Sequence, residues 1–211
     1  MKSSWFITFE GGEGAGKSTQ VVRLAERLRQ AGHDIVTTRE PGGSTDADAI
    51  RELLVTGEPG RWSPTADALL NYAARDSHLS RTIRPALRSG QTVICDRFSD
   101  STRAYQGIAG GIGLDLIEAI DREVVGETQP DLTLVFDLDP LTGLSRAKKR
   151  GGADRFERLG LSFHERLRDA FRGIAQANAD RCRIIDASGT PEEVEEKVWQ
   201  AVSSRMALVE S

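Results

Sequence analysis

The sequence predicts an α/β fold in three layers, a doubly wound sheet of five parallel strands with helices on both faces. Three observations carry that reading. Five short apolar runs rich in β-branched and aromatic residues recur along the 211 residues, helical patterns separate them, and a glycine-rich loop joins the first strand to the first helix. Strands covered on both faces read as near-continuous apolar runs. Strands that alternate with helices enter one sheet by right-handed crossovers. Ligands of such sheets collect beyond the C-terminal ends of the strands, so the residues that follow each run are the ones to inspect for chemistry.

The first run, Trp5–Phe9, leads into Gly11-Gly12-Glu13-Gly14-Ala15-Gly16-Lys17-Ser18 and a helical pattern opening at Lys17. This fits G-x-x-x-x-G-K-[ST], the phosphate-binding loop. Its glycines turn successive N–H groups inward, and the helix adds its positive end, so a polyphosphate meets donors already in place. Lys17 would reach the terminal phosphates and Ser18 would hold Mg²⁺. Glu13 is the anomaly. Two unit charges about 4 Å apart repel by roughly 4 kcal/mol at an effective dielectric of 20, so its carboxylate should turn toward an acceptor hydroxyl or an arginine. The helix shows Val21, Leu24, Ala25 and Leu28 on one face and ends at Gly32.

The second run, Ile35–Thr38, is followed by Arg39-Glu40-Pro41-Gly42-Gly43, which places Arg39 on the ligand side and gives a tight turn. A helical pattern covers residues 66–79, after a loop over 57–64. Pro85 suits the first turn of a short helix stopping at Gly90. The third run, Thr92–Cys95, ends in Asp96, a carboxylate placed to orient Mg²⁺, with Arg97 beside it as a cationic fork for a second anion. Residues 107–113 read as a glycine-rich surface loop.

The fourth run is Leu132–Phe136. Beyond it Arg146, Lys148, Lys149, Arg150, Arg155 and Arg158 surround Gly151-Gly152. Such a segment reads either as a solvated basic face or as a lid over phosphates. The fifth run is Arg183–Ile185. Asp186-Ala187-Ser188-Gly189 after it spells the D-x-x-G of switch GTPases, but follows the last strand and so lies in the wrong place. Residues 206–211 are expected to fray.

Lys plus Arg number 28 against 32 Asp plus Glu, a net charge of −4, so nothing global attracts nucleic acid or an anionic membrane. The apolar run near the N-terminus is too short for a signal peptide or a membrane span, which reads as cytoplasmic. The length suits one domain over residues 1–211. Cys95 and Cys182 sit apart in apolar runs and read as small buried thiols. His33, His78 and His164 share no metal-ligand spacing and read as ordinary surface or boundary histidines.

Arg39, Arg75 and Arg97 make three arginines around one crevice, many for a site that holds ATP alone. An acceptor that is itself a phosphate is already ionised. It needs no general base, but must be brought against another polyanion. Taken together, the segments 9–19, 38–43, 72–75, 96–98 and 101–107 resemble, in order and spacing, the bacterial thymidylate kinases, and the resemblance spans essentially the whole chain.

What the resemblance implies is a phosphate-binding-loop nucleotide kinase fold, likeness to relatives that form homodimers through helices such as the one starting near Ala66, and Mg²⁺-dependent transfer from ATP to dTMP. ATP would lie on Gly11, Gly12, Glu13, Gly14, Ala15, Gly16, Lys17, Ser18 and Thr19, with adenine between Arg146 and Asp186-Ala187-Ser188. Glu13 would meet the deoxyribose 3′-hydroxyl. Arg39 and Arg97 would grip the dTMP phosphate, Arg75 would reach thymine O4, Thr102 and Gln106 would line the base pocket, and Tyr105 would crowd the 2′ position. Lys17, Arg97 and Arg150 would serve catalysis, and Ser18 and Asp96 the metal. Where many relatives stack a phenylalanine on thymine, this chain has Asn71, with Tyr72 turned about 100° away around the helix. Asn71 leaves a monophosphate kinase of another base specificity open, and a nucleotide-dependent switch is the reading of a different class.

Overall fold

A computed structural model describes residues 4–151 and 155–207. The elements run β1 (Phe6–Gly11), α1 (Lys17–Gln30), β2 (Ile35–Arg39), α2 (Thr45–Val55), α3 (Pro64–His78), α4 (Arg84–Arg88), β3 (Thr92–Asp96), α5 (Ser99–Thr102), α6 (Leu114–Val124), β4 (Leu132–Asp137), α7 (Pro140–Arg150), α8 (Leu161–Ala177), β5 (Cys182–Asp186) and α9 (Pro191–Met206). Every strand pair is parallel, and the sheet order is β2-β3-β1-β4-β5. The five expected strands are present, each within two residues of its expected limits.

The strands do not share one burial pattern. β1 and β4 are inner strands with almost no exposed side chain, but β2 and β5 lie at the edges and each has exposed positions. Period-two alternation sends Ile7 and Phe9 to the face covered by α1 and α9. Phe6 goes to the opposite face, with Tyr72, Leu79, Ile83 and Phe98. A third cluster joins Tyr105 and Val135 to Leu167, Phe171 and Ile174 of α8. Cys95 and Cys182 are buried free thiols, as expected.

Local chemistry explains the helix starts. Ser44, Ser63 and Asp139 cap α2, α3 and α7 through their side chains, and Thr190 with Glu193 forms a capping box on α9. Pro85 stands in the first turn of the short helix α4, as expected, and a π-helical stretch, Leu79–Ile83, joins that helix to α3. The widened turn precedes a residue with no N–H to offer an α-helical bond. One expectation fails, because residues 107–109 are not surface loop. They finish a second π-helical stretch, Arg103–Ala109, in which Gly107 and Ala109 are buried.

The register aligns the functional ends. Asp96 pairs with Phe9 on one side and with Arg39 on the other, and Gly11 pairs with Phe136. The segments that follow these positions emerge together along one end of the sheet. Among the described residues, no helix is long and apolar enough to cross a membrane.

Candidate active site

The glycine-rich loop leaves β1 at that end. Gly14 and Gly16 adopt φ of 66° and 85°, the left-handed region, and Gly16 caps α1. No acidic residue occupies the first turn of α1, so its positive end stays uncompensated. The loop is also pressed against α7: a Cβ at Gly14 would lie 2.0 Å from the Gly143 carbonyl oxygen, and one at Gly143 would lie 2.3 Å from that of Glu13. Backbone contact between two glycines therefore sets the start of the basic segment against the loop.

Lys17 curls back over the loop, donating to the Gly12 carbonyl at 2.7 Å and to that of Gly11 at 3.1 Å. Burial lowers its ammonium to about 8, with Arg97 adding to the effect and Glu13 opposing it. The Ser18 hydroxyl donates to Asp96 at 2.5 Å, which brings both expected metal ligands together. Among the described residues no group of three or more His, Cys, Asp or Glu could hold a metal. Two oxygen side chains beside a phosphate cradle fit Mg²⁺, which keeps several waters and takes its remaining ligands from phosphate.

Glu13 does turn toward an arginine. Its Oε1 accepts from Arg97 Nη2 at 2.8 Å and from the Tyr105 hydroxyl. Burial alone would raise this carboxyl, but Arg97 and Lys17 outweigh it and hold it at about 2. Arg97 is fixed from several sides. It takes φ 70°, its Nη1 donates to the Gly11 carbonyl at 2.9 Å and to Ser101 Oγ at 3.2 Å, and its guanidinium lies 5.1 Å from the Tyr105 ring. A non-glycine residue in that conformation is strained, and such strain is typical of ligand-gripping positions. Ser101 in turn donates to Glu10, which also accepts from the Phe98 N–H at 2.8 Å.

A cavity of about 450 Å³ opens here. Its walls include residues 13–19, Arg39, Asn71, Asp96, Arg97, Thr102, Tyr105 and Gln106. Arg39 is more than half exposed and reaches Asp48 at 3.3 Å. Asn71 Nδ2 donates to the Asp67 carbonyl one turn back on α3, at 2.8 Å. Tyr72 faces the core, where its hydroxyl meets Asp121 at 3.0 Å. Arg75 is not in the open crevice with Arg39 and Arg97, as its sequence position had implied. It is buried behind the wall, where Glu40 and Thr102 bind its guanidinium.

A second cavity, of about 640 Å³, shares Gly14, Ala15, Gly16 and Thr19 with the first. Arg146, Ala187 and Ser188 line its far side, and Arg146 donates to the Ala187 carbonyl at 3.3 Å. Asp186 does not line the cavity. It shapes the loop, accepting from the Ser188 N–H at 3.0 Å and from Lys197 at 2.8 Å. Gly11 and Gly12 stand outside both cavities, although Gly11 holds Arg97 and both carbonyls hold Lys17. Arg150 ends α7, but its side chain, like residues 152–154 of the expected lid, lies outside the described part of the structure.

Several residues escaped the sequence reading. His78 and His164 are buried, not surface or boundary residues, and His78 joins a polar cluster with Glu40 and Thr38. Glu10 and Glu40 carried no motif signal beyond their places next to the glycine loop and the Pro-Gly-Gly turn. Arg155 anchors on the Leu54 carbonyl and on Asp67, and Phe156 beside it lines the first cavity. Charge counting lumped Arg155 with the basic run and gave no sign that it was buried.

Comparison with known proteins gives one answer. A sequence model of the family "Thymidylate kinase" matches residues 9–198. The thymidylate kinase of Caulobacter vibrioides is 55% identical over 208 residues, covering 99% of this chain and all of that one. That of Afipia carboxidovorans is 50% identical over 96% of this chain and 90% of its own length. The crystal structure of thymidylate kinase from Ehrlichia chaffeensis superposes with a TM-score of 0.76 at 34% identity, covering 94% of this chain and 98% of that one.

Proposed function

This chain belongs to the thymidylate kinase family, and we propose that the two cavities meeting at Gly14–Thr19 are the acceptor and donor sites of its reaction. The activity is ATP-dependent phosphorylation of dTMP to dTDP. One observation carries the site assignment: the arginine-rich cavity and the Arg146–Ser188 cavity share the phosphate-binding loop, so nucleotides in each would point their phosphates at a common place.

ATP sits on the loop amides and the α1 N-terminus, with adenine beside Arg146 and the turn at Ala187 and Ser188. Lys17 exchanges its loop carbonyls for phosphate oxygens, and a bound anion raises its depressed ammonium again. Asp96 and Ser18 would hold Mg²⁺, which would supply positive charge beside the phosphates. The dTMP phosphate lies between Arg39 and Arg97. It is the nucleophile, and no side chain need remove a proton from it. Arg97, Lys17 and, from the lid, Arg150 stabilise charge on the group in flight. Glu13 meets the 3′-hydroxyl, Tyr105 guards the 2′ position, and Arg75, Thr102, Gln106 and Asn71 surround the base.

The chain acts as a single domain, with a lid over about 146–158, and as a homodimer. Leu69 on α3 and Leu114 and Leu116 on α6 remain exposed and would suit a symmetric partner. Two free thiols suit the reducing cytoplasm. Its partners are the two nucleotides, with neither nucleic acid nor membrane. The test is coupled ADP release across a panel of monophosphates. ADP should appear with dTMP, and turnover as fast with UMP, or indifferent to any monophosphate, would refute the assignment.

A further inference from the structure

Glu40 directly follows β2 and is buried, with both carboxylate oxygens occupied. Oε2 accepts from Arg75 Nε at 2.8 Å, and Oε1 pairs with His78 Nδ1 at 3.0 Å. On its other side His78 Nε2 shares a 2.7 Å bond with the Thr38 hydroxyl, which belongs to the strand itself. Behind the imidazole stands the turn: Gly43 has φ 90°, and a Cβ there would lie 2.4 Å from His78 Nε2. The carboxylate is thus braced by strand, imidazole and turn.

Arg75 takes its orientation from this brace. Beyond the Glu40 bond, Nη2 donates to the Thr102 hydroxyl at 3.0 Å, and the rings of Tyr72 and Phe98 lie 4.6 and 5.2 Å from the guanidinium carbon. Burial works against the charge, but Glu40 and its surroundings raise the guanidinium pKa further, so it stays cationic. One atom is left over. Arg75 Nη1 is buried and has no hydrogen-bond partner among the described residues. A buried donor without an acceptor is costly, so Nη1 has capacity for an acceptor that a ligand brings. Glu40 and Thr102, which grip the guanidinium, both line the 450 Å³ cavity, as does Asn71 one helical turn before Arg75.

We propose that Glu40, braced by His78 and Thr38, is a positioning residue that locks Arg75 in the orientation that admits a base with a carbonyl oxygen and rejects one with an amino group. The inference rests on the assignment of Arg75 to the acceptor base. A guanidinium has N–H donors and no acceptor. Thymine presents the O4 acceptor and cytosine the N4 amino donor at the same place. Against a fixed donor the amino base leaves two donors unpaired. A guanidinium free to swing could withdraw and tolerate it. Discrimination therefore depends on the carboxylate, held through Oε1 by His78 and holding Arg75 through Oε2, as well as on the arginine.

The experiment compares kcat/KM for dTMP and dCMP in the wild type, Glu40→Gln, His78→Phe and Arg75→Lys. Glu40→Gln keeps the shape but loses the second acceptor oxygen, and the dTMP-to-dCMP ratio should fall by about tenfold or more. His78→Phe keeps a ring but loses both bonds, and should lower the ratio several-fold. If Glu40→Gln does not fold, His78→Phe decides. A ratio that falls in Arg75→Lys but stays at the wild-type value in both other variants overturns the positioning role. A ratio unchanged in Arg75→Lys removes the base assignment beneath it.

Discussion

Arg97 Nη2 donates to Glu13 Oε1 at 2.8 Å, so the carboxylate of the phosphate-binding loop is bound to an arginine that lines the same cavity. Held at about 2 by Arg97 and Lys17 against the opposing effect of burial, Glu13 is ionised at neutral pH and is an acceptor only. Its remaining capacity suits a sugar hydroxyl. In Glu13→Gln we expect kcat/KM for dTMP to fall by about tenfold or more, since hydrogen bonds to charged groups are worth about 1.5–3 kcal/mol. The loss should be much smaller for 3′-deoxy-dTMP. Equal losses with both substrates would show that Glu13 serves Arg97 alone.

Glu10 predicts a pH dependence of stability. Burial, with Asp100 adding repulsion, raises its carboxyl from 4.5 to about 8. The native state then holds a proton that the unfolded chain has released above about 4.5. Across that window unfolding releases a proton, so this group makes stability fall as pH rises, until the native carboxyl also ionises near 8. Glu10→Gln mimics the protonated form. Urea midpoints measured at pH 5 and pH 8 should show the variant gaining on the wild type at the higher pH. A constant difference between the two would rule out the titration.

Arg150→Ala tests the lid. If that guanidinium meets the phosphoryl group only in flight, kcat should fall by about a thousandfold, the lower end of what such arginines contribute, with little change in the KM for either nucleotide. A rise in the KM for ATP with kcat unchanged would make Arg150 a binding residue instead.

What the sequence made legible was local. The strands follow from runs of apolar residues, and the loop from its glycine spacing and its place between strand and helix. Ser18 with Asp96, and Arg146 with Ala187 and Ser188, follow once the strands finish at one end of the sheet. The parts that stayed hidden depend on contacts between distant segments. Glu40 with His78 joins residues 38 apart, Glu10 with Ser101 joins residues 91 apart, and Arg155 with Asp67 joins residues 88 apart. Buried polar clusters leave no periodic trace, because each member looks like an ordinary surface residue until its partner is known. The π-helical stretch Arg103–Ala109 was hidden for a related reason. Its glycine at 107 signals a loop, yet the residue serves close packing, since a Cβ there would meet Leu114 at 3.1 Å.

Asn71 draws attention to Phe156. With its amide nitrogen bound to the Asp67 carbonyl, Asn71 offers the first cavity a carbonyl oxygen and no ring. Aromatic surface in that cavity comes from Tyr105 and Phe156, and their rings meet edge to face at 5.5 Å. Tyr105 is committed to Glu13 through its hydroxyl and to Arg97 through its face. Phe156 is held in place by its neighbour, because Arg155 lies over the Phe156 ring at 4.3 Å and pairs with Asp67, one turn from Asn71. A base gains about 1–3 kcal/mol from stacking on an aromatic side chain. Phe156→Leu, which keeps apolar volume but removes the ring, should therefore raise the KM for dTMP by about fivefold or more and leave the KM for ATP unchanged. Asn71→Ala should have a smaller effect on the same constant. The reverse order would return the principal base contact to α3.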